Sequence, residues 1–197
     1  MNYTAASLVI GITLLAITVS IAVNAPHYMC IAQVSLSTIE ASLRHATLNA
    51  LIAHLCGKSV KTALRENIEA LDPRYVPLSR YRVVECHPVD VSTPWPKALL
   101  KVEYWIALGD KAQAYNCTVK LEGYVTSTSS EGLYDVVSIE VYDERGLILS
   151  PELLSFNPKP LTVKVEDGKL KLYYPRGLRP STIEITDTRG LRIYLST

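Results

Sequence analysis

The sequence predicts an α+β protein: a long hydrophobic N-terminal helix followed by an antiparallel β-sandwich head. Three observations predict it. No Lys, Arg, Asp or Glu precedes Glu40 in a chain of 197 residues. Leu36, Ile39, Leu43, Thr47, Leu51 and Leu55 recur at steps of three and four, which is one stripe along a helix. From Tyr75 onward that period gives way to short runs alternating in twos, joined by Pro- and Gly-containing links. The expected divisions are 1–57 for the hydrophobic and amphipathic helix, 58–74 for a short helix and linker, and 75–197 for the head.

The run AASLVIGITLLAITVSIAV, residues 5–23, is long enough in apolar positions to cross ~30 Å of hydrocarbon. A cleaved secretory signal is the competing reading. It calls for a basic leader and a short apolar core, whereas MNYT has no basic side chain and the apolar run is long. Retention as a membrane anchor is therefore expected. Pro26 bends or breaks a helix, which neighbouring groups can accommodate at a membrane. Beyond it the helical pattern continues with only Glu40 and Arg44 charged between residues 27 and 57. That pair stands at i,i+4 in the favourable order. So few charges require cover by something on most sides. Gly57 ends the run, Ser59 is placed to cap a new start, and VKTALRENIEAL forms a shorter, charged helix before Asp72-Pro73.

An apolar span of this length, then Pro26, Tyr28 and a weakly charged amphipathic continuation to about Leu55, resembles the N-terminal helix of type IV pilins, including the archaeal ones. The resemblance covers roughly the first quarter of the chain. It implies a helix that anchors the subunit in the membrane before assembly and then packs against copies of itself in a filament core. The residues it assigns to helix packing are Leu8, Val9, Ile12, Leu15, Val19, Pro26, Tyr28, Ile39, Leu43 and Leu51. The expected function is that of a structural subunit of an extracellular, adhesive filament that polymerises with itself. The alternative, from a different class, is a single-pass anchored β-sandwich binding module whose residues 27–57 pack on its own head.

In the head, strands are expected at 81–86, 98–108, 115–125, 136–143, 161–167, 169–174, 182–187 and 191–196. Cys117, Val119 and Leu121 face one way, and Thr118, Lys120 and Glu122 the other. Asp167-Gly168 is a two-residue hairpin signal. SIEVYDERGLI (138–148) and TIEITDTRGLR (182–192) align without gaps and share Asp-x-Arg-Gly-Leu. The expected role is a turn in which the aspartate bonds the local backbone and the glycine takes a positive φ. Calcium ligation by Asp143 and Asp187 is rejected, because the surrounding acidic density is too low.

Composition removes other classes. A net charge of +1 with no basic stripe argues against nucleic acid. Cys56-Gly57-Lys58-Ser59 ends like a phosphate loop, yet Ile52 stands where the first glycine belongs. No catalytic residue, cofactor or metal site is expected. Cys30 and Cys56 lie roughly 39 Å apart if one helix joins them, which forbids an intrachain bond. Cys86 and Cys117 occupy strand-like runs and are candidates for a disulfide. Asn116-Cys117-Thr118 is a glycosylation sequon with Asn116 facing outward.

Overall fold

The computed structural model describes residues 36–108 and 111–197. It corrects the predicted class. The described residues are mostly β, with 50% of them in nine strands forming two antiparallel sheets. Among the described residues no helix is long and apolar enough to cross a membrane. The expected anchor at 5–23 lies outside the described residues. The physical reason for the correction lies in residues 42–55, whose sparse charge suggests a need for lipid or sister molecules. They belong instead to the compact unit Ser42–Thr197, which carries all the strands. The rest of the chain, Met1–Ala41, forms a separate unit.

Two helices lead the described chain: α1 at 36–55 and α2 at Val60–Glu69. Gly57, at φ 92°, ends the first, because an L side chain resists that conformation. Ser59 occupies the cap position of α2 without a side-chain hydrogen bond. Ala63 and Leu64 form the buried face of α2.

Nine strands follow: β1 (Leu78–His87), β2 (Lys97–Leu108), β3 (Lys111–Glu131), β4 (Tyr134–Asp143), β5 (Leu154–Asn157), β6 (Thr162–Glu166), β7 (Lys169–Pro175), β8 (Thr182–Asp187) and β9 (Arg192–Ser196). A six-stranded sheet has the order β1-β2-β3-β4-β7-β6, and a three-stranded sheet the order β5-β8-β9. Strand β3 holds the larger sheet together. It pairs with β2 over its first half and with β4 over its second. The expected two-residue turn joins β6 to β7, with Asp167 at φ 52° and Gly168 at φ 73°.

The alternation read from the sequence is present in space. Cys117, Val119 and Leu121 are buried, and Thr118, Lys120 and Glu122 are half-buried on the other face. That outer face satisfies itself both along and across its strands. Arg82 pairs with Glu103, Lys120 with Glu122, and Lys171 with Glu166. Arg80 stacks over the Trp105 ring at 4.1 Å, and Lys164 over Tyr173 at 5.2 Å. The inner face is apolar, built from Leu100, Val102, Ile106, Val119, Leu121, Val137, Ile139, Leu170 and Leu172.

The smaller sheet meets the larger where β9 crosses β3. Tyr194 N–H donates to Trp95 O at 2.7 Å, and the Trp95 and Tyr194 rings meet edge-on at 5.1 Å. Gly123 permits the crossing, since a Cβ there would stand 2.9 Å from Ile193 Cδ1 and 3.4 Å from Glu140 O. The methyl tip of Ile193 can yield to one added carbon but not to a branched side chain. Gly123→Val should therefore lower stability by roughly 1–3 kcal/mol, and Gly123→Ala by clearly less. Thermal unfolding followed by circular dichroism checks the order; equal losses would show that the crossing is not tight.

Candidate functional site

The feature that distinguishes this chain chemically is the seam where residues 42–55 of α1 lie on the head. Leu43, Thr47, Ala50 and Leu51 are 0% exposed, and Ala46 is 2% exposed. These positions recur at helical spacing, so one face of the helix is spent on the head. A β-branched polar residue in that face needs a partner. Thr47 Oγ1 donates to Leu43 O at 2.8 Å and shares a 2.7 Å hydrogen bond with the Tyr104 hydroxyl of β2. Among the described residues no buried side-chain nitrogen or oxygen lacks a partner. At the C-terminal end, the two His54 ring nitrogens meet Lys58 O at 2.9 Å and Pro88 O at 2.8 Å. The helix is thereby tied to the link between β1 and β2.

Its N-terminal end meets the two Asp-x-Arg-Gly turns. In both, the aspartate bonds its own turn as the sequence leads one to expect. Asp143 Oδ1 accepts from the Arg145 and Leu147 N–H groups at 2.8 and 3.0 Å. Asp187 Oδ1 accepts from Arg189 and Leu191, both at 2.9 Å. Gly146 and Gly190 sit at φ 73° and 87°. The fold then brings the turns together. Glu144 pairs with Arg44 of α1 through one oxygen and with Arg189 Nη1 through the other, the latter at 2.7 Å. Arg189 also bonds Asp187 Oδ2 at 2.8 Å and Lys120 O at 3.0 Å. The sequence flagged the repeat but not this bridge. Glu144 and Arg189 occupy non-equivalent positions of the two copies, so alignment alone does not pair them.

The expected packing residues divide. Leu8, Val9, Ile12, Leu15, Val19, Pro26 and Tyr28 lie outside the described residues. Ile39 is 7% exposed. Leu43 and Leu51 are wholly covered inside the monomer and have no surface left for another copy. Asn116 is exposed on β3 beside buried Cys117, as the sequon requires.

The expected Cys86–Cys117 disulfide is corrected: both thiols are free, and so is exposed Cys56. Strand β2 is the reason. Cys86 pairs across to Leu100 on one side of β2, while Cys117 pairs to Val102 on the other. Two strand spacings of about 4.8 Å exceed the reach of a disulfide. Burial pushes both thiols above their ordinary range.

Two concavities lie elsewhere on the head. A groove of about 560 Å³ between β5 and β6 is lined by Leu154, Phe156, Leu161 and Val163, with Glu152 and Lys159 beside them. A hollow of about 400 Å³ next to α2 is lined by Ile68, Leu71, Val76 and Tyr81. Among the described residues no cluster of His, Cys, Asp and Glu has the form of a metal site. No protein-family model, no curated protein and no solved structure matches this chain.

Tyr104→Phe removes the bond from the head to Thr47, which keeps Leu43 O, and should cost roughly 0.5–1.5 kcal/mol in urea unfolding, part of which Thr47→Val in the same chain restores. A loss below about 0.5 kcal/mol would mean that the bond does not hold the seam. Alkaline pH gives a second test. Desolvation holds the Tyr104 phenol well above its usual range and pushes Tyr174 up to about 12. The folded state therefore keeps protons that the unfolded chain releases from pH 10.0 upward. Stability from these two groups is complete below pH 10.0 and falls as pH rises toward about 12. Unfolding free energies measured across that window should decline, and Tyr174→Phe should flatten the decline.

Proposed function

We propose that this chain is a structural subunit of a cell-surface filament of the type IV pilus kind. The apolar N-terminal segment holds it in the membrane before assembly and packs against the same segment of other copies afterwards. The head faces water and presents adhesive surface. The observation that supports this is a division within the uncharged part of the chain. Residues 42–55 find their cover on the subunit's own sheet, while the run from Ala5 to Val23 holds no ionised group and falls in the other unit of the chain. Leu8, Val9, Ile12, Leu15 and Val19 are the residues assigned to assembly in this reading. Nothing in it calls for catalysis, a cofactor or nucleic acid.

A second reading has its own support. A membrane-anchored binding module expects the helix to lie on its own head, as residues 42–55 do. The apolar groove between β5 and β6 also has a volume typical of small-ligand sites. Negative-stain microscopy separates the two. The filament reading expects thin filaments on cells and from purified protein after detergent removal. A charge placed within the apolar segment, such as Ile12→Lys, should abolish them while leaving the head folded. Monodisperse particles under every condition would overturn it in favour of the anchored module.

A further inference from the structure

Arg44, Glu144 and Arg189 share a cleft of about 260 Å³ with Asp143, Asp187 and Arg145. Both turn aspartates are occupied in closing their own loops, so neither is free to serve another element. The working carboxylate is Glu144, which follows the first aspartate where the second copy has Thr188. The working guanidinium is that of Arg189, whose side chain is anchored on Asp187 Oδ2 and Lys120 O before it reaches Glu144. Glu144 is only 9% exposed in its side chain and bridges Arg189 to Arg44. One copy of the repeat thus supplies an acid, the other a held base, and α1 supplies the second base. The chain of contacts runs from the helix through β4 and β8 to the backbone of β3.

The place of Arg44 matters as much as its partners. The head unit begins at Ser42. Arg44 follows buried Leu43 in the first turn of helix within that unit, ahead of Thr47 and His54. We propose that the twin turns are a mechanical clamp, which keeps the leading turn of the docked helix from peeling off the sheet when the N-terminal segment is pulled. This rests on the filament or anchor reading only for the source of the load. A pull through residue 41 separates the helix from the sheet one turn at a time, so the foremost contacts bear it singly. Apolar contacts are short-ranged and non-directional, whereas a bridged carboxylate holds two fixed guanidinium groups. An ion-paired clamp therefore reinforces the leading turn, where Leu43 is also buried, and Ala46, Ala50 and Leu51 suit the body of the seam.

The test uses the full chain in nanodiscs, pulled between N- and C-terminal handles in optical tweezers, alongside hydrogen exchange without load. The wild type should release 42–57 as a first event of roughly 30–35 Å, the extended length at ~3.3–3.6 Å per residue less the ~1.5 Å per residue already spanned as helix, before the sheets open. Glu144→Gln should lower the force of that event and leave the later unfolding force unchanged. Exchange of amides 42–49 should rise about tenfold in this variant, while β2 and β3 keep their protection. Arg44→Met leaves the Glu144–Arg189 pair in place and should reproduce both effects, which guards against a folding defect from Glu144→Gln. Unchanged first-event force and exchange in both variants would overturn the clamp, as would equal weakening of every event. Loss of the clamp effect with filaments intact refutes this inference alone, and a clamp effect without filaments refutes only the filament.

Discussion

The covered face of residues 42–55 is the constraint on which the rest of the head depends. Four side chains with no exposed surface and a threonine–tyrosine hydrogen bond fix a helix across an open antiparallel sheet. An antiparallel sheet needs one face buried and tolerates water on the other. Here the outer face is solvated and internally paired, so the inner face must find its cover among α1 and the three-stranded sheet. Burying Leu43 and Leu51 contributes on the order of 1.5–3 kcal/mol each. The hydrogen bond adds less energy but more geometry. The Tyr104 ring lies between those of Tyr81 on β1 and Tyr115 on β3, and Thr47 is held by its own turn of helix, so the bond sets which turn lies over which strand.

Two kinds of surface result. The outer sheet face carries charges and aromatic rings that pair along their own strands, as Lys120 with Glu122, or with the next strand, as Arg82 with Glu103. The apolar groove between β5 and β6 differs, because both strands are sheet edges and the link between them carries Pro158 and Pro160. Prolines and short strands discourage unwanted strand addition at such edges.

Much of the head was legible in the sequence. Period-two alternation placed eight of the nine strands, and Asp167-Gly168 marked its hairpin. The short strand β5 was missed because LSFN, between prolines at 151 and 158, is too brief to show a period. The twin turns are legible as local structures, since an aspartate bonding its own loop needs only neighbours in sequence. Their joining was not legible. It depends on β4 and β8 ending side by side in three dimensions, which neither copy encodes. The class was misjudged for a related reason: low charge shows that a helix is covered, not by what. Residues 42–55 and the run at 5–23 look alike in composition, yet only the former carries Thr47, Arg44 and His54, polar groups that make sense once their partners on the head are known. The disulfide failed on topology, because two strand-borne cysteines cannot bond across an intervening strand.

The order of the seam along the chain has a consequence for synthesis. Thr47 precedes Tyr104 by 57 residues, so the helix leaves the ribosome before its resting place exists. At ~5–20 residues per second that gap lasts roughly 3 to 11 s. Throughout it, the stripe that ends as interior is an accessible apolar ribbon. Only the arrival of β2 and β3 gives that ribbon the surface on which it is finally buried.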